Sequence, residues 1–112
     1  MRIALVLPAA AALAATLAAG CGGNGTSAPV ATTQVSMAKS YRFAPDTIKV
    51  HAGDTVTWTN NDNFTHTVRV EGEPDHKVGR GDSVAIRFPN AGTYHYECTL
   101  HSHDMHGTVI VQ

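Results

Sequence analysis

From residue 34 onward the chain alternates in short steps between apolar and polar positions. In Asp54–Asn60, Val56, Trp58 and Asn60 fall on one face and Thr55, Thr57 and Thr59 on the other, the period of two that a half-buried strand requires. Thr93–Cys98 repeats the pattern, with Tyr94, Tyr96 and Cys98 pointing one way and His95 and Glu97 the other. Runs rich in β-branched and aromatic residues predict five further strands, at Gln34–Lys39, Thr47–Val50, His66–Val70, Ser83–Phe88 and Thr108–Gln112. Turn residues separate them, as in His51-Ala52-Gly53-Asp54 and Pro89-Asn90-Ala91-Gly92. The charged, glycine-containing stretch from Glu71 to Asp82 predicts a long surface loop or a weakly paired edge. No part of this region shows the 3.6-residue apolar period of a helix. About seven short strands at this spacing predict an all-β chain folded as a Greek-key β-sandwich.

The first 33 residues differ in kind. Met1-Arg2 carries a positive charge, and the apolar run from Ile3 to Ala19 is broken only by Pro8 and Thr16. This pattern predicts a secretory signal peptide over residues 1–20; the run is short for a span, which needs roughly 20 apolar residues. Leu17-Ala18-Ala19-Gly20-Cys21 resembles the lipobox of bacterial lipoprotein signals, although the family usually has leucine where Ala18 stands. Lipidation at Cys21 is therefore preferred to ordinary cleavage. The product is expected outside the cytoplasm, in the periplasm or lipid-anchored at the outer face of the cell membrane. Residues 21–33, small, polar and uncharged after Cys21, predict a flexible tether, which leaves a folded domain over 34–112.

A domain this small draws only a few kcal/mol from one apolar core, and exported domains of this size often add disulfides. Here Cys98 has no partner once Cys21 is set aside. An immunoglobulin-type sandwich would pair it with a second core cysteine. An unpaired thiol in an oxidising compartment is a liability unless something occupies it, and a metal would. The seven basic residues left after the signal are scattered among nine acidic ones, which excludes a nucleic-acid surface.

The candidate chemistry lies in YHYECTLHSHDMHG, residues 94–107, where four histidines, one cysteine and one methionine fill fourteen positions. Structural zinc sites show paired cysteines or histidines and rarely use a thioether. One cysteine, two histidines and one methionine suit copper better, because thiolate and thioether hold Cu(I) and imidazole also accommodates Cu(II). Ser102-His103-Asp104 imitates a catalytic triad only on paper, since three consecutive residues cannot adopt that geometry. His51, His76, His95 and His106 read as polar surface, and Glu71, Glu73 and Asp75 as a solvated loop without the ligand spacing of a calcium site.

Tyr94-x-Tyr96-x-Cys98-x-x-His101, followed by Met105-x-Gly107-x-Val109, resembles the C-terminal signature of the cupredoxins, above all plastocyanin, amicyanin and pseudoazurin. Gly53-Asp54-x-Val56-x-Trp58-x-Asn60 with His66-Thr67-Val68 resembles the family's first-histidine region. The resemblance implies one type 1 copper bound by His66, Cys98, His101 and Met105. It also implies one-electron transfer between redox partner proteins by a monomeric carrier with no substrate-transforming site of its own. Extracytoplasmic copper storage or delivery is the alternative. Three residues separate His101 from Met105, where the family commonly has two or four. His103 as the ligand would leave only one, and His101 is preferred. Thr67 stands where asparagine is often found, and it and Thr99 are expected to supply hydrogen bonds that hold the ligand loops. Glu97 stands where plastocyanins carry tyrosine. Phe64 and Leu100 are expected to ring the exposed ligand edge that meets the partner.

Overall fold

The computed structural model describes residues 28–112; the expected signal segment and Cys21 lie outside them. Among the described residues ten strands form two sheets: β1 (Val30–Ala31), β2 (Gln34–Ala38), β3 (Arg42–Ala44), β4 (Thr47–Val50), β5 (Thr55–Asn60), β6 (His66–Val70), β7 (His76–Val78), β8 (Ser83–Arg87), β9 (Gly92–Glu97) and β10 (His106–Val111). One sheet runs β1-β4-β10-β9-β6-β7 and the other β3-β2-β5-β8. The chain crosses between sheets after β1, β3, β4, β5, β7 and β8, so the two layers form the sandwich that the alternation predicts.

All seven predicted strands are present, two of them, Thr47–Val50 and His66–Val70, with the predicted bounds. The three additional strands have two or three residues each, too short for alternation to announce them. β1 lies within the stretch expected to be a tether: Val30 and Ala31 pair in parallel with Ile48 and Lys49 of β4, so strand pairing begins before Gln34. β7 lies within the expected loop and pairs with β6, the weakly paired edge of the two readings.

The inward faces are those the alternation assigns. Val56, Trp58 and Asn60 of β5 are buried, as are Tyr96 and Cys98, while Thr55 and His95 are exposed. Trp58 lies at the centre, with Tyr96 edge-on to it at 5.1 Å and Phe88 at 6.3 Å; Phe43 meets Tyr96 from the other sheet at 4.8 Å. Such edge-to-face contacts add to the area buried. Met37 is wholly buried core.

Tyr96 also fixes how the last strand begins. Its hydroxyl donates to the carbonyl of Asp46 at 3.0 Å, and burial raises its pKa above the ordinary phenol value. Its ring passes directly over Gly107: a Cβ there would lie 2.1 Å from Tyr96 Cζ and 2.5 Å from the Asp46 carbonyl oxygen. Only glycine lets β10 approach β9 this closely two residues after Met105. Gly107→Ala is expected to destabilise the metal-free domain by about 3 kcal/mol, the upper range for overpacking. Urea unfolding of the purified variant checks this; a loss below about 0.5 kcal/mol would show that Tyr96 yields freely.

Candidate metal centre

The strand ends that carry His66 and Cys98 meet at one pole of the sandwich. β6 opens there with His66, β9 ends with Cys98 just beyond it, and a 3-10 turn at Thr99–His101 leads to Met105 and β10. His66, Cys98 and Met105 are all 0% exposed; His101 is half-buried and nearest the surface, while Ser102, His103 and Asp104 are exposed.

The turn closes on itself through the backbone. His101 N–H donates to Cys98 O at 3.1 Å, Met105 N–H to His101 O at 2.9 Å, and Cys98 N–H to Met105 O at 3.1 Å. Cys98 and Met105 are thereby held together although six residues lie between them. His101 faces inward, its ring 5.4 Å from that of His66. His103 lies at the outer tip of the loop.

The buried end of the site has its ring orientation set by its neighbours. His66 Nε2 lies 2.9 Å from Asp62 Oδ2. The Asp62 carboxyl is held below the usual carboxylate value, chiefly by this hydrogen bond and then by the Asn63 backbone N–H. An ionised carboxylate only accepts, so His66 Nε2 donates to Asp62 and Nδ1 is the nitrogen turned toward the rest of the site. That Nδ1 faces Cys98 Sγ at 3.8 Å. Bonds of about 2.3 Å to sulfur and 2.0–2.1 Å to nitrogen, at a trigonal angle, place the two donors about 3.8 Å apart. The pair therefore fits a metal ion held between them without rearrangement. Among the described residues no three His, Cys, Asp or Glu side chains already form a closed set of metal donors; His66 and Cys98 are the formed pair, with His101 beside it.

Hydrogen bonds hold that pair in place. Thr67 N–H donates to Cys98 Sγ at 3.3 Å. Thr99 N–H donates to Thr67 Oγ1 at 2.7 Å and Thr99 Oγ1 to Asp75 Oδ2 at 2.7 Å. The one hydroxyl proton of Thr99 is thus taken, so Thr67 Oγ1 donates across their 2.9 Å contact. The role expected for Thr67 and Thr99 is present. Asp75 is exposed in the loop before β7, as expected, and is also the end of this chain of bonds.

Four further residues shape the pole. Buried Asn60 donates from Nδ2 to the carbonyls of Phe64 and Val78, at 2.8 and 3.0 Å, and accepts from Asp62 N–H at 2.9 Å, so it moulds the loop that carries Asp62 into β6. Tyr41 sits at the β2–β3 turn, where Ser40 and Tyr41 have φ of 72° and 56°, a left-handed backbone that costs non-glycine residues of order 1 kcal/mol or more each. That turn lays Tyr41 against His101, ring centres 4.3 Å apart, and beside Phe64 at 6.0 Å. Phe64 and Leu100, as expected of the rim, are each 56% exposed, and Tyr41 joins them at 37%.

These features define a β-sandwich with a buried histidine–cysteine pair under an apolar rim. The chain matches the cupredoxin-like domain family model over residues 4–111. It is 33% identical to amicyanin-alpha of Methylorubrum extorquens over 121 aligned positions, spanning 100% of both chains. It is also 33% identical to plastocyanin of Scenedesmus fuscus over 84 residues, covering 62% of this chain and 86% of that one. Among solved structures, a purple cupredoxin from Nitrosopumilus maritimus superposes with a TM-score of 0.64 at 23% identity, covering 70% of this chain and 98% of the other. The Cu(I) form of an amicyanin mutant superposes with a TM-score of 0.63 at 31% identity, covering 78% and 86%. The chain belongs to the cupredoxin-like family.

Asn60→Ala strips the Phe64 and Val78 carbonyls and the Asp62 N–H of their side-chain partner at once, and an unsatisfied buried group costs roughly 1–3 kcal/mol. The metal-free variant is expected to lose at least about 2 kcal/mol of stability in urea unfolding. A neutral substitution would mean that the loop carrying Asp62 is held by other contacts.

Proposed function

We propose that this protein carries one electron at a time at a single type 1 copper, with His66, Cys98, His101 and Met105 as its ligands. The observation that carries this reading is the buried pair of His66 Nδ1 and Cys98 Sγ, 3.8 Å apart with the imidazole proton turned away. When bound, copper supplies a centre that alternates between Cu(I) and Cu(II) on one ligand set. Cys98 contributes the thiolate, stabilised by Thr67 N–H, and is the covalent conduit into β9. His66 and His101 contribute neutral imidazoles. Met105 contributes a weakly binding thioether from the end of the loop.

The chain's part is to keep these donors still. An electron moves quickly only if little must rearrange, and donors fixed by packing and hydrogen bonds meet that need. The apolar rim of Tyr41, Phe64 and Leu100 surrounds the half-buried His101, so the docking face for redox partner proteins lies there, and desolvating it costs little. Storage or delivery of copper is not favoured, because the pair that would grip the ion is wholly buried. The protein has no substrate-transforming site. It acts outside the cytoplasm as a monomer, in the periplasm or held at the outer face of the cell membrane by a lipid on Cys21. The amicyanin and plastocyanin relatives support the electron-transfer reading.

The copper-loaded, oxidised protein is expected to show an intense sulfur-to-copper charge-transfer band. Cys98→Ser and His101→Ala should abolish or greatly weaken it at saturating copper, and His103→Ala should leave it nearly unchanged. A lost band in His103→Ala with an unchanged one in His101→Ala would reverse the ligand assignment. Asp62→Asn removes the charge that orients His66, so Cu(II) affinity should fall about 10–100-fold with the band retained. Competition titration against a copper chelator measures this, and unaltered affinity would leave Asp62 without a role in binding.

A further inference from the structure

The outer face of the larger sheet carries a second group of metal donors, separate from the buried pole. β9, β10 and β6 set its register: His106 pairs with Glu97 and Thr108 with His95, while Arg69 pairs with Glu97. Side chains alternate along strands, so His95, Glu97, His106 and Thr108 stand on one face. His95 and His106 are diagonal neighbours there, a spacing of about 7–8 Å or somewhat less between Cβ atoms. Imidazole–metal bonds of about 2.0–2.1 Å from each ring span such a gap. Both histidines are exposed, and both line the two adjoining shallow clefts on this face.

Their neighbours favour one arrangement. His95 Nδ1 lies 3.3 Å from Thr108 Oγ1, which orients the ring and leaves Nε2 for a ligand. Glu97 is engaged by the Arg69 guanidinium. Glu71 accepts His95 N–H on Oε1 at 3.0 Å, which keeps a carboxylate beside the pair with its second oxygen available. No three His, Cys, Asp or Glu donors among the described residues are already gathered, so water must complete the coordination.

We propose that His95 and His106, with Glu71 beside them, bind a divalent transition-metal cation such as Zn(II) on the outer sheet face. The position has a consequence, which rests on the copper reading above. His106 follows Met105 and His95 lies three residues before Cys98, so the outer cation is close along the chain to two of the proposed copper ligands. A positive charge there favours the less positively charged, reduced state of the buried centre and raises its midpoint potential.

Zn(II) is titrated by calorimetry into the copper-loaded mature protein, and into a Cys98→Ser variant in which the buried site is disabled. One equivalent of zinc is expected in both, weakened at least about tenfold by His95→Gln and by His106→Gln and unaffected by His51→Gln. No zinc uptake, or uptake that both His95→Gln and His106→Gln leave intact, would overturn the site. Voltammetry of the copper protein with and without zinc tests the consequence. A positive shift lost in His106→Gln supports it, and zinc bound without a shift would overturn the coupling while leaving the site. Loss of the charge-transfer band in the wild type would tell against the copper reading alone, because uptake by Cys98→Ser does not depend on it.

Discussion

The hydrogen bond between His66 Nε2 and Asp62 Oδ2, 2.9 Å long and buried on both sides, decides which nitrogen of His66 is free. Turned the other way, the imidazole would present an N–H to Cys98 Sγ and two donors of a metal site would become a hydrogen-bonded pair. A buried imidazole costs free energy unless its polar atoms are satisfied. Asp62 satisfies one nitrogen and leaves the other for a ligand. The rest of the pole supports this choice. Asn60 shapes the loop that brings Asp62 to His66, and Thr67 N–H meets the sulfur from the other side.

Position at the pole follows from the sheets. β6 and β9 are neighbours in one sheet, with Arg69 opposite Glu97, and this pairing brings His66 and Cys98 to the same end. Tyr96, two residues before Cys98, seats the β9–β10 pair on Trp58 and on the Asp46 carbonyl, and Gly107 is the residue that permits the approach. The ligand loop thus joins two strands whose separation the core has already set. Hydrogen bonds from Thr99 through Asp75 tie the same loop to the segment before β7.

Much of this was legible in the sequence, for particular reasons. Val56, Trp58 and Asn60 alternate cleanly because β5 buries one face only, and Tyr94, Tyr96 and Cys98 alternate for the same reason in β9. The spacing of Cys98, His101 and Met105 marks the loop because a short connection between paired strands must bring its donors together. Other features left no readable signal. β1 owes its pairing to β4, which is distant in sequence, and β3 and β7 pair with the adjacent strands β2 and β6 over too few residues for alternation to show. Asp62 is one of several polar residues in Asn61–Thr65, and only the fold shows that it is buried. Tyr41 follows a serine in a turn that lacks the Asn-Gly pair such turns prefer, so its place over His101 is set by tertiary packing. Asp75 looked like part of a solvated loop because its partner Thr99 is 24 residues away.

Preorganisation is the property on which electron transfer at this pole depends, and it is measurable directly. Crystal structures of the metal-free and copper-loaded protein should show the His66 Nδ1 to Cys98 Sγ separation within about 0.5 Å of 3.8 Å in both, with Asp62 on Nε2 throughout and His101 making whatever movement there is. A metal-free protein in which His66 has turned its Nδ1 away from Cys98, or in which that separation has opened by more than about 1.5 Å, would contradict a site built by the fold.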